Sequence, residues 1–211
     1  MPYDISLLCT DKTHPVLQEL QQWAEQSTHH VQVYTDKKEL PGGDVLFLVS
    51  CSQLINDLDR QRYRQCLTLH ASALPEGRGW SPHIWQLLEG KSTLVVSLIS
   101  AADPVDSGDI WLQEDLVFEG HELCDEINQS LFAAELKLMD RFLALWPTLK
   151  PQPQQGKGSY YRKRTPQDSR LDPKLSLASQ FDLLRVADPV RYPAFFEWRG
   201  HRYRIYLEKE T

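Results

Sequence analysis

Hydrophobic and polar positions along this chain follow two alternating periods. ISLLCT (Ile5 to Thr10), DVLFLVS (Asp44 to Ser50), CLTLHA (Cys66 to Ala71) and STLVVSLIS (Ser92 to Ser100) are short, nearly unbroken apolar runs. They read as strands buried on both faces. VQVYT (Val31 to Thr35) alternates as a half-buried strand, and IWLQEDLVF (Ile110 to Phe118) reads as a further strand. Between them the period changes to that of helices. Val16, Leu17, Leu20 and Trp23 follow Pro15 at helical spacing, INDLDRQRYRQ reads as a short polar-faced helix, and PHIWQLLEG is opened by Pro82 and stopped by Gly90. From His121 to Trp146 the residues Leu123, Ile127, Leu131, Ala134, Leu138, Phe142 and Leu145 trace one stripe of a long amphipathic helix. Strands alternating with helices predict an α/β chain with a mostly parallel sheet and helices on both faces.

The tail has a different character. KPQPQQGKG, over 150–158, reads as a connector, and SYYRKRTPQDSRLDP as a basic, aromatic loop. KLSLASQFDLLRVAD, over 174–188, reads as a helix, and a terminal hairpin is expected to turn at Arg199 and Gly200. The expected division is a core over 1–149 and, over 150–211, the connector with a small helix–hairpin extension.

Composition narrows the classes. A net charge of −6 argues against a chain whose main task is to grip a nucleic-acid backbone, and no apolar run approaches a membrane span. The N-terminus, with Asp4, Asp11 and Lys12 around its apolar segment, reads as a first strand and not as a signal peptide. The four cysteines, Cys9, Cys51, Cys66 and Cys124, are scattered, so a reduced, cytoplasmic protein without disulfides or structural zinc is expected.

Candidate chemistry gathers in three places. Thr68 and His70, two apart on a strand, share a face, and His70 lies at the carboxyl end, where ligands of parallel sheets sit. The loop ASALPEGRGWSP follows; its glycines let backbone groups approach a ligand. VDSGD places Asp106 after the next strand. In a parallel sheet adjacent strand ends lie about 5 Å apart, so a carboxylate on this neighbouring loop could reach the imidazole and fix its tautomer. Taken singly, each feature also suits a purely structural role: a strand-end histidine, a turn-forming Asp-Ser-Gly-Asp and glycines serving a loop.

LHASALPEGRGWSPHIWQLLEG followed by VDSGDI resembles the core of the folate-dependent formyltransferase family, with His70, Ser72, Leu74, Pro75, Gly79, Pro82, Asp106, Gly108 and Asp109 on the family pattern. The resemblance covers 44–118 and, in the tail, YYRKRTPQDSRLD. It implies a Rossmann-like fold and transfer of a formyl group from N10-formyltetrahydrofolate, as co-substrate and without a metal, to an amine. GWSP and LLRVADPVRYPAFFEW look most like the short bacterial surface-sugar enzymes that act on nucleotide-linked amino sugars of the pseudaminic-acid type. That acceptor is the expected partner; nucleic acid and membrane are not, and a homodimer is compatible. By resemblance, His70, Asp106 and Thr68 would be catalytic. Ser52, Leu54, Pro104 and Val105 would flank the folate. Ser72, Trp80, Ser81, Tyr160 and Arg162 would meet the acceptor. Thr68 departs from the pattern, which has Asn there. The two rival readings are a formyl-folate hydrolase on the same scaffold and a folate- or nucleotide-binding protein whose catalytic set decayed at Thr68.

Overall fold

The computed structural model describes residues 1–210. In chain order the elements are β1 (Asp4–Leu8), α1 (Val16–Gln26), β2 (His30–Tyr34), β3 (Gly43–Leu48), α2 (Asp57–Arg60), β4 (Tyr63–His70), β5 (Arg78–Gly79), α3 (Pro82–Leu88), β6 (Thr93–Ser100), β7 (Ile110–Val117), α4 (Cys124–Leu145), β8 (Tyr160–Tyr161), α5 (Phe181–Arg185), β9 (Ala194–Trp198) and β10 (His201–Ile205). Six strands form the central sheet in the order β2-β1-β3-β4-β6-β7. The apolar strands occupy its middle, where both faces are covered. β9 and β10 form the expected antiparallel hairpin, with Arg199 and Gly200 both at positive φ in its turn.

The main core lies between the sheet and α1 with α4. Leu7, Val45, Phe47, Leu67, Leu69 and Val96 meet Leu131, Ala134, Leu138 and Phe142 of α4 there. Phe142 packs edge-on to Trp111 and Phe47, with centroids 5.2 and 6.0 Å away. Each such fully buried side chain contributes about 1.5–3 kcal/mol. The Glu126 carboxylate accepts the Leu123 N–H at 2.8 Å and closes the first turn of α4. The opposite face carries a smaller cluster, Leu8, Leu46, Leu48 and Cys66, under Leu40 and Ile55.

Three expectations need correction. β6 runs antiparallel to β4, with His70 opposite Ser97 and Leu67 opposite Ser100. The end of β6 therefore lies beside the middle of β4, and adjacent parallel strand ends are not what bring Asp106 to His70. The helix expected over 55–65 shrinks to α2, capped reciprocally by Asn56 and Asp59. Its remainder is drawn into β4, where Tyr63 and Gln65 pair with Gly43 and Val45. The helix expected over 174–188 survives only as a 3-10 turn and the five-residue α5. There Gln180 donates to Asp172 O at 3.0 Å and accepts from Asp172 N at 2.7 Å, so a side chain closes a loop in place of the helical ladder.

Candidate active site

His70 ends β4 and is 7% exposed. Its Nε2 lies 2.8 Å from Gly77 O, and a carbonyl can only accept, so that nitrogen donates. Nδ1 faces Asp106 Oδ1 at 3.5 Å. Both ring nitrogens thus face acceptors, and the longer contact leaves the Asp106 side of the ring loosely held. Asp106 is 8% exposed and sits at φ +62, a left-handed conformation that Asp tolerates better than most residues. Its Oδ2 accepts the Gly79 N–H at 2.9 Å.

The loop that delivers Asp106 doubles back along the end of β6. Ser100 N donates to Asp109 O at 2.9 Å, and a Cβ on Gly108 would stand 1.8 Å from Ser100 O, so the backbones approach too closely for a side chain. Gln154 Nε2 bridges Asp106 O and Gly108 O at 2.9 and 2.8 Å. The 150–158 segment, expected as a connector, thereby also braces this loop; Gln152 exchanges both backbone hydrogen bonds with Ile110. The glycine-rich loop is held by the same tail. β5 pairs with β8, and Gly77 N donates to Ser159 Oγ at 2.8 Å.

These elements open into a cavity of about 820 Å³. It crosses the strand ends. One lobe is walled by Leu48, Cys51, Ile55 and Ala101 from the smaller-core side, the other by Leu69, Ala71, Leu131 and Phe132 from the α4 side. Of the residues singled out from the sequence, Thr68, His70, Asp106, Ser52, Leu54, Val105, Trp80, Ser81 and Tyr160 line it. Pro104, Ser72 and Arg162 do not. Ser72 is 1% exposed and packs against Gly77. Arg162 is paired with Asp168, its guanidinium lies 4.7 Å over Trp85, and its carbonyl accepts the Trp85 indole N–H at 3.0 Å, so it fastens the tail to α3. Its neighbours Lys163 and Arg164 do line the cavity, as does Arg191 further along the tail.

Sequence reasoning missed the α4-side lobe. His14, His83, Asn128, Glu135, Arg191 and Tyr192 line it. Burial holds the His14 imidazole down at about 4 and that of His83 at about 3. Burial alone pushes the Glu135 carboxyl up to about 8, and its Oε2 has no hydrogen-bond partner. The signal for Glu135 was available: it lies one turn after Leu131, inside the apolar stripe of α4. Burial raises the Cys9 and Cys124 thiols to about 11 and Cys66 to about 12, which leaves them poor nucleophiles. Among the described residues no group of three or more His, Cys, Asp or Glu could hold a metal ion, and no helix is long and apolar enough to cross a membrane.

This chain resembles known proteins in sequence and in fold. It is 28% identical over 132 residues to a methionyl-tRNA formyltransferase of Rickettsia bellii, a match covering 61% of this chain and 43% of that protein. It is 26% identical over 165 residues to that of Francisella philomiragia, covering 77% and 52%. The chain therefore spans about half the length of these relatives. Among solved structures, methionyl-tRNA formyltransferase from Clostridium thermocellum superposes with TM-score 0.82 at 23% identity, covering 98% of this chain and 93% of that one. HypX from Aquifex aeolicus in complex with tetrahydrofolic acid gives TM-score 0.80 at 18% identity, covering 98% and 38%. A sugar N-formyltransferase from Shewanella sp FDAARGOS_354 gives 0.72 at 15%, covering 98% of both chains. At these identities the structural likeness shows a shared fold. The formyl transferase family model matches residues 9–143, more than half of the sequence and the span that carries both His70 and Asp106, and the chain belongs to that family.

Proposed function

We propose that this enzyme transfers a formyl group from N10-formyltetrahydrofolate to the amine of a nucleotide-linked amino sugar. The observation that carries the reading is the His70–Asp106 pair, 3.5 Å apart in the wall of a cavity of about 820 Å³. In the transfer, the amine nitrogen attacks the formyl carbon and a new C–N bond forms. The carbonyl oxygen takes up negative charge while the nitrogen sheds a proton. The N10–carbon bond then breaks, and N10 takes a proton. His70 donates to the developing oxyanion or relays the proton by giving up one of its two present contacts, with Gly77 O or with Asp106, and Asp106 orients the ring. Thr68, half-buried two residues before His70 on the same face, offers a hydroxyl where the family pattern has an amide.

Ser52, Leu54 and Val105 wall the lobe assigned to the folate, and a neighbour of similar fold was solved with tetrahydrofolic acid. The α4-side lobe is assigned to the acceptor. A sugar nucleotide suits this chain better than tRNA because a net charge of −6 opposes a polyanionic backbone. The test incubates the protein with formyl-folate and a panel of nucleotide-linked amino sugars, with aminoacyl-tRNA as a competing acceptor, and reads products by mass. One amino sugar should gain the mass of a carbonyl group. Formate released without any formylated acceptor would favour the hydrolase, and binding without turnover the decayed protein.

A further inference from the structure

We infer that the α4-side lobe contains a subsite for a phosphoryl group, with Arg164 as its principal cation and Lys163 as the second. That the phosphoryl group belongs to the acceptor rests on the function proposed above; the anion subsite itself rests on the geometry.

Arg164 is 6% exposed, yet it lines the cavity. Its guanidinium lies 5.1 Å over the Tyr192 ring, Nη2 donates to Ser169 Oγ at 3.2 Å, and Nε has no partner. A buried guanidinium is costly without a counter-charge. Among the described residues, no neighbouring carboxylate lies within ion-pair distance of Arg164, although Asp168 and Asp188 are near enough to favour its charge. Asp168 accepts from Arg162 Nη1 at 2.8 Å, from Arg162 Nη2 and from the Thr165 N–H. Asp188 Oδ1 accepts the Val190 and Arg191 N–H groups at 2.9 and 2.8 Å. Asp11 is paired with Arg191 at 3.0 Å. Glu135, the remaining acid of this lobe, is held in its neutral form by burial up to about pH 8. Lys163 adds a second cation at the rim, its Nζ 4.6 Å over the Trp80 ring. Among the described residues, neither Arg164 nor Lys163 forms an ion pair.

Asp168 and Asp188 stabilise the guanidinium charge only from beyond ion-pair distance, so an anion bound in the cavity would supply the direct partner that Arg164 lacks. A guanidinium fork, with a second cation lining the same cavity, suits a phosphoryl group, which offers several acceptor oxygens and more than one charge. The folate tail carries carboxylates, but the lobe assigned to folate is walled by the 50–55 and 101–105 segments. Arg164 instead shares its surroundings with Tyr192 and with Cys124 at the start of α4.

The experiment measures binding of inorganic pyrophosphate and of p-aminobenzoyl-glutamate to the full chain by calorimetry, with no formyl transfer involved. Arg164→Gln should weaken pyrophosphate binding by about tenfold, and Arg164→Lys, which keeps the charge and loses the fork, by about threefold. Arg204→Gln, on the exposed hairpin, should bind as the wild type does. Melting curves check that each variant is folded; should Arg164→Gln fail to fold, the lysine variant decides. The inference is overturned if wild type does not bind pyrophosphate, if the folded Arg164 variants bind it unchanged, or if they lose p-aminobenzoyl-glutamate instead. Pyrophosphate binding lost on Arg164→Gln, in a protein that formylates no amino sugar, would keep the subsite and sink the acceptor.

Discussion

Glu135 makes the buried chemistry of the cavity measurable without any substrate. It is 5% exposed, and burial moves its carboxyl from 4.5 to about 8. In the unfolded chain it loses its proton near the ordinary value, so from there to about pH 8 the native state holds one proton more than the unfolded state. Native stability therefore falls with rising pH across that window, by about 1.4 kcal/mol per unit. The loss amounts to about 3 kcal/mol at pH 7 and about 5 kcal/mol once the shift is fully spent. Glu135→Gln keeps the shape and cannot ionise. Its melting temperature should match wild type near pH 4.5 and exceed it by roughly 6–12 °C at pH 7.

His14 and His83 impose the opposite slope. Their folded values, about 4 and about 3, lie below the ordinary 6.5, so they lower stability as pH falls beneath 6.5. Both proteins carry them, and they cancel in the difference. The assay is scanning calorimetry of ligand-free wild type and variant in half-unit steps from about pH 4.5 to about pH 8.5. A melting difference that stays flat, or that widens toward acid, would show that Glu135 ionises normally and that this lobe is wetter than its geometry implies.

His70→Asn and Asp106→Asn should each cut kcat/KM by about 10²–10³ while the melting temperature stays within a few degrees; near-normal rates in either variant would remove the pair from the reaction. Thr68→Asn should keep or raise activity if the hydroxyl stands in for the family amide, and a large loss would mean the site is rebuilt around threonine. Gly108→Ala forces a Cβ to within 1.8 Å of Ser100 O, so the loop must shift. A loss of about 3 kcal/mol or more with a fall in turnover is expected, and a wild-type melting curve would contradict the close approach.

The strands and the long helix were legible because their periodicity is set by burial: α4 puts Leu131, Leu138 and Phe142 where the stripe predicted. Strand direction was not legible. Whether β6 runs parallel or antiparallel to β4 depends on how the residues between them route the chain, and an apolar run such as STLVVSLIS reads the same either way. His70 and Asp106 were therefore matched for an incomplete reason. The motif placed them together, but the route is a loop that returns along Ser100, possible because Gly108 has no side chain. Arg162, Lys163 and Arg164 were indistinguishable as a basic run. Only the pairing of β8 with β5, and Asp168 holding Arg162, decide which of the three face the cavity.

The same contacts tie the tail to the loops that hold His70 and Asp106. Asp106 holds a left-handed backbone conformation, and non-glycine residues there persist where their surroundings over-determine them. Gly79 N, Gln154 Nε2 and the His70 ring supply that constraint. One of the three comes from the 150–158 segment. A second, Gly79, is itself held by β8, where an added Cβ would meet Tyr161 O at 2.3 Å. The loop carrying the imidazole's carbonyl partner, Gly77, is fixed through Ser159. The orientation of His70 and Asp106 thus depends on residues 152–161, beyond the family-matched span of 9–143. Substitutions such as Gln154→Ala should lower kcat more than they raise KM, because they loosen the pair without removing a substrate contact. A pure KM effect at Gln154 would place that side chain against a ligand and dissolve the coupling between the tail and the pair.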